Sequence, residues 1–189
     1  MKYKQNKISV IALGAMFFAS AIFFAACNKK VKTPPNPNDE ELITTIKLTL
    51  VDSAGLKPTV MAQYRDIDGD GGANPIQWDT LRMQANTTYL GTIELLDESS
   101  SPVDTISLEV RDEGVDHLFC FEINGIQTQI QRTDTDANGL EVGLTTKWHS
   151  GAPGNGNVNI QLRHQPGIKN GTCSLGAADI DLVFQAEVN

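Results

Sequence analysis

From residue 43 onward, apolar and polar positions alternate in short runs. Ile46, Leu48 and Leu50 are separated by Lys47 and Thr49, and Val158, Ile160 and Leu162 by Asn159 and Gln161. Ile180, Leu182, Phe184, Ala186 and Val188 share one parity. A period of two repeated over so many segments predicts half-buried antiparallel strands. They fall at 43–51, 59–64, 78–83, 88–96, 104–111, 117–124, 127–132, 140–148, 156–164 and 178–188, with no helix. Asn124-Gly125 is a two-residue hairpin signal, and the run GAPGNGN at 151–157 is a glycine-rich connection. The predicted fold is all-β, an antiparallel two-sheet β-sandwich. If each strand reverses the last, loops 84–87, 112–116, 133–139 and 165–177 gather at one end of the sandwich. Loops 65–77, 97–103, 124–126 and 149–155 then gather at the other.

The first 41 residues do not follow this pattern. Lys2, Lys4 and Lys7 precede an apolar run over 8–26, the plan of a secretory signal. An uncleaved membrane anchor is the alternative, since about nineteen apolar or small residues just span a bilayer. Phe24-Ala25-Ala26-Cys27 argues for cleavage, because two small residues before a cysteine resemble a bacterial lipobox. That gives a lipoprotein signal at 1–26, a lipidated Cys27 bearing palmitate-type chains, a disordered proline-rich tether over 27–41 and the sandwich at 42–189. Several acyl chains, at about 0.8 kcal/mol per buried methylene, tether a domain firmly to a membrane. The expected location is the cell envelope, at the outer membrane, with the periplasmic and surface faces both open.

Charge narrows the partners. Of fifteen Lys and Arg, six precede Thr33, so the rest of the chain sets nine bases against all 23 acids. A domain with a balance of −14 repels nucleic acid and favours cations or basic surfaces. Outside the cytoplasm Cys120 and Cys173 are free to pair. A buried free thiol at Cys120 is the alternative, and no CxxC or Cys/His zinc spacing is present.

Two acidic loops carry the first candidate chemistry. DIDGDGG places Asp66, Asp68 and Asp70 at alternate positions before a glycine, the opening of a calcium loop. Its twelfth position is Gln77 rather than a bidentate Glu, which removes the EF-hand reading; Asp79, Asp97 or Glu98 are candidates to complete an oxygen cage. DTDANG repeats the spacing with Asp134, Asp136 and Asn138, followed by Glu141, and has Thr145 at position twelve. Calcium is the cofactor such loops hold; a polar turn, for which Asp and Gly are equally suited, is the competing reading.

The three histidines do not form one predicted site. His149 and His164 fall near opposite ends of the hairpin predicted from 140–148 and 156–164, more than about 20 Å apart at about 3.3 Å per residue. His117 and His164 are different: one shares parity with Phe119 and Phe121, the other with Leu162 and Ile160, and both fall at the end that holds DTDANG. With Glu113 and Asp116 they define a candidate transition-metal site, against the alternative of two rim histidines bonded to loop carbonyls. No GxSxG, HExxH, P-loop or GxGxxG occurs, so a binding role rather than an enzyme is expected.

The stretches PPNPNDEELITTIKLTL, YRDIDGDGG, NTTYLGTIELLDES, EVRDEGVDHLFCF, DTDANGLEVGL and LRHQPGIKNG resemble a family of small Bacteroidota lipoproteins. Members are often labelled "type 1 periplasmic binding fold superfamily", a two-lobed α/β architecture that conflicts with the strand pattern here. The resemblance implies an envelope accessory to nutrient or metal uptake, with a TonB-dependent receptor or another envelope protein as partner.

Overall fold

The computed structural model describes residues 42–69 and 72–189. The signal segment, Cys27, the tether and Asp70 lie outside the described residues. Two sheets face one another as a β-sandwich. The first has the strand order β3 (Gln77–Trp78), β2 (Val60–Arg65), β1 (Thr45–Asp52), β5 (Thr88–Leu96), β8 (Thr145–Ser150), β7 (Thr128–Arg132). The second has the order β4 (Leu81–Met83), β10 (Ala177–Val188), β9 (Gly154–His164), β6 (His117–Asn124). Neighbours are antiparallel except for β4, which lies parallel to β10. Among the described residues one short helix, α1 (Ile106–Asp112), packs on β5.

Alternation builds the core directly. Ile46, Leu48 and Leu50 from β1 and Tyr89, Ile93 and Leu95 from β5 meet Phe119, Val158, Ile160, Leu162 and Phe184 from the second sheet. Trp148 is the largest fully buried side chain, and its indole N–H donates to Thr146 Oγ1 at 2.7 Å. Gly91, opposite Thr146 across the β5–β8 pair, makes that room. A methyl group there would lie 2.4 Å from Thr146 Oγ1 and 2.9 Å from Trp148 Nε1.

Five expectations need correction. Residues 104–111 form a helix, not a strand: Ile106, Leu108 and Val110 alternate, but Ile106 and Val110 also stand four apart, and packing buries those two while Leu108 stays half-exposed. The run 78–83 changes sheets at Asp79, with Gln77–Trp78 pairing β2 and Leu81–Met83 pairing β10. Asn124-Gly125 does not close a hairpin, because β6 and β7 belong to different sheets, as do β8 and β9. Gly125 has φ +80° and sits where a Cβ would meet the Asn155 carbonyl oxygen at 2.9 Å, so glycine serves a crowded corner between sheets. Residues 140–144 are irregular, with Val142 and Leu144 entering the core from a loop.

The fifth correction follows from the others. The strand pairings place 53–59, 84–87, 125–127 and 151–153 at one end, and 66–76, 97–116, 133–144 and 165–176 at the other. Both acidic loops and both His117 and His164 therefore occupy the same, long-loop end. Cys120 and Cys173 form a disulfide, resolving that alternative. Cys120 has the opposite parity to Phe119 and Phe121, so the bond draws the β9–β10 loop against the outer face of β6. Arg163 Nε adds a hydrogen bond to the Cys173 carbonyl at 3.1 Å.

Candidate functional site

Strand register brings the two histidines together. His117 opens β6, His164 closes β9, and the two are directly opposed in the pairing. Their parity turns both rings toward the space between the sheets, where both residues are buried. The rings stack with centroids 4.8 Å apart and planes 4° from parallel.

A carboxylate joins them through an irregularity that alternation does not reveal. Across the β9–β10 pair, Ala178 opposes Arg163 and Ile180 opposes Leu162, which leaves Asp179 as the extra residue of a bulge. A bulge re-aims a side chain relative to the regular pleat. The Asp179 and His117 side chains are both 0% exposed, and Asp179 Oδ2 lies 3.8 Å from His117 Nε2. One donor atom from each of His117, His164 and Asp179 falls within 4.8 Å of the others.

The tautomer of His117 is set by its backbone neighbour. Nδ1 lies 3.1 Å from the Glu113 carbonyl oxygen, an acceptor only, so Nδ1 carries the proton and donates. Nε2 is left presenting its lone pair, buried and without a hydrogen-bond partner. Burial pushes the ring's pKa down to about 4, His164 and Lys169 act in the same direction, and the Glu113 carbonyl and Asp116 oppose them. The ring is therefore neutral at pH 7.

Glu113 thus contributes its carbonyl, not its carboxylate. Asp116 serves the adjacent loop: its carbonyl accepts the Gln165 N–H, and its carboxylate accepts the Gly167 N–H at 3.2 Å. The Gln165 amide donates to the Thr172 and Leu175 carbonyls at 2.8 and 2.9 Å, bracing the loop between His164 and Asp179. His149 lies at the far end, 3.2 Å through Nδ1 from Thr88 Oγ1.

In the second acidic loop the carboxylates are engaged by the protein itself. Asp134 accepts the N–H groups of Gly143 and Leu144 at 2.7 and 3.0 Å. Asp136 Oδ1 accepts those of Asn138 and Leu140, and Oδ2 meets the Lys169 ammonium at 2.8 Å. These bonds, the ammonium included, hold the Asp136 carboxyl below its usual range against the opposing effect of burial. Lys169 also donates to the Gly114 carbonyl at 2.7 Å, so Asp136 faces an ammonium held by two acceptors.

The first loop is arranged differently. Asp68 curls back to accept the Ala73 N–H at 2.7 Å. Asp66 is 5% exposed; its Oδ2 accepts the Tyr64 hydroxyl at 3.1 Å, while Oδ1 is buried without a donor. The three residues considered for completing a cage work elsewhere. Asp79 accepts the Gln63 N–H, Asp97 accepts the Ser99 N–H, and Glu98 is clamped by Arg65 through contacts of 2.6 to 2.9 Å.

Between this loop and β10 opens a cleft of about 700 Å³. Its walls include Tyr64, Trp78, Asp66, Asn74, Asp179 and Asp181. Trp78 is 52% exposed and meets Tyr64 edge-on with centroids 5.2 Å apart. The cleft thus offers an aromatic face beside hydrogen-bond acceptors, and it reaches one of the three clustered ligand-type residues. No protein-family model, curated protein or solved structure matches the chain.

Proposed function

We propose that this protein is a non-enzymatic cell-envelope lipoprotein, anchored through Cys27, that binds a hydroxyl-rich ligand of the glycan type at its long-loop end. The observation that carries the reading is the cleft, where the half-exposed Trp78 stands beside Asp66, Asn74 and Asp181. An aromatic face packs against the apolar side of a sugar ring, and carboxylate and amide oxygens accept its hydroxyls. The acidic balance of the domain disfavours anionic ligands and leaves neutral or cationic ones. The lipobox-like FAAC supports the tether, and the family resemblance supports a place beside a TonB-dependent receptor or another envelope protein.

The chain has two tryptophans, and Trp148 is fully buried, so a ligand-dependent change in indole emission reports Trp78. Full-length protein in detergent, titrated with neutral and cationic oligosaccharides, is expected to show saturable emission changes that Trp78→Ala abolishes. Binding that survives Trp78→Ala, or no response to any glycan, refutes the ligand assignment. Cys27→Ser is expected to move the protein from the membrane to the soluble fraction and to end labelling by radioactive palmitate.

A further inference from the structure

We propose that His117, His164 and Asp179 bind one divalent transition-metal ion of the zinc class at the buried edge of the cleft. The inference goes beyond the ligand reading above and stands on different side chains. Two imidazole nitrogens and one carboxylate oxygen form a borderline donor set, suited to zinc, cobalt or nickel rather than to calcium, which takes six or more oxygens.

Three independent features point the same way. First, cross-strand register opposes the two histidines, so the donors are placed by a rigid sheet rather than by loop composition. Second, the bulge turns Asp179 inward, burying a carboxylate against an imidazole. Third, His117 carries the outer-sphere bond that metal-bound histidines use: Nδ1–H donates to the Glu113 carbonyl, which fixes the ring and leaves Nε2 as the ligand atom. That Nε2 is buried, has no hydrogen-bond partner and faces the other two groups. A lone pair set against a carboxylate oxygen is an arrangement that a shared cation completes.

The fit requires modest closure. Tetrahedral zinc at about 2.0–2.1 Å from each donor sets the donors about 3.3 Å apart. The 3.8 Å separation of Nε2 and Oδ2 closes by about 0.5 Å, and the widest, 4.8 Å, by about 1.5 Å. Rotation of the His164 and Asp179 side chains supplies this while the strands stay in place. Three protein donors leave one tetrahedral position for water or for a donor atom of a molecule in the cleft, which Asp179 also lines.

The test uses full-length protein in detergent, stripped with EDTA and titrated with zinc sulfate by calorimetry and with cobalt(II) by visible absorption. One zinc per chain at micromolar affinity or better, and the d–d bands of tetrahedral cobalt, are expected. His117→Ala, His164→Ala and Asp179→Asn should each weaken zinc at least ~100-fold, with His149→Ala unchanged. Far-UV circular dichroism verifies folding; should an alanine variant unfold, Asp179→Asn and His164→Gln carry the test. Zinc binding that survives the His117→Ala/His164→Ala pair overturns the proposal. So does absence of stoichiometric zinc binding, and imidazole nitrogen NMR that then places a proton on Nε2 makes the cluster a histidine–aspartate proton pair. Glycan-dependent Trp78 emission retained in His164→Gln separates failure here from failure of the ligand reading.

Discussion

Lys169→Met isolates the contribution of one buried charge. The Lys169 and Asp136 side chains are 2% and 1% exposed, and the ammonium lies 2.8 Å from Oδ2. Removing one partner of a buried pair costs about 3–5 kcal/mol, because the other charge stays behind without compensation. Asp136 Oδ1 keeps the Asn138 and Leu140 N–H groups, so the lower end, about 3 kcal/mol, is expected. For a domain of this size that lowers Tm by about 10 °C. The pH dependence supplies a sharper check. In the wild type the depressed Asp136 pKa contributes stability that is present above the unfolded carboxyl value and lost as pH falls through the folded one. In Lys169→Met burial acts without the ammonium and raises that pKa, so the penalty is largest at neutral pH and fades as Asp136 protonates. The deficit measured by thermal denaturation should therefore shrink steadily from pH 7 to pH 4, and Asp136→Asn in the same background should recover part of it at pH 7. A Tm within about 2 °C of wild type at neutral pH, or a deficit that does not change with pH, refutes the reasoning.

Four further outcomes are expected. Cys120→Ser opens a loop with a sequence separation of 53 residues and, on chain entropy, removes about 4 kcal/mol; its Tm should match that of wild type under dithiothreitol and should not respond to the reductant. Gly91→Ala overlaps Thr146 Oγ1 and Trp148 Nε1 and should cost about 1–3 kcal/mol by urea denaturation. Arg65 first, then the Thr45 hydroxyl, hold Glu98 down from 4.5 to about 2, so its stabilisation is complete above pH 4.5 and disappears as pH falls toward 2. Glu98→Gln should flatten denaturant-derived stability across that window. With Lys169 already in place, the DTDANG loop should not respond to calcium: in Asp68→Asn, calcium added after chelation should leave Tm unchanged, and a rise would assign an ion to Asp134 and Asp136.

Alternation was enough to find β1, β2, β5, β6, β9 and β10, because in each the apolar residues of one parity line the core. It says that a segment is a strand, not which strand it joins. Sheet membership depends on corners, and Asn124-Gly125 is chemically identical whether it closes a hairpin or turns between sheets. Ile106, Leu108 and Val110 were ambiguous for a related reason: positions two apart suit a strand, and positions four apart suit a helix. That one substitution of helix for strand reversed the polarity of everything downstream, which is why the two acidic loops were expected at opposite ends. The histidine pair was legible from parity, since His117 and His164 each continue an apolar face. Asp179 was not. Beside Ile180 its parity points away from the core, and only the bulge reverses it; a buried carboxylate at a register shift leaves no periodic trace.

The position of β10 carries a consequence for how the molecule is made. It comes last of the ten strands, yet it sits between β9 and β4, and the pairing of Leu81 with Ala186 spans 105 positions. The second sheet has no interior until residues 177–188 have been synthesised, so every nascent form short of that point holds β4 without a neighbour in its sheet. Long-range pairing of this kind is slow. On the lipoprotein reading proposed above, the chain would cross a membrane through a narrow channel, and such a chain must remain unfolded until it has passed. On that reading, placing the keystone strand last would supply the delay, with closure following release on the far side.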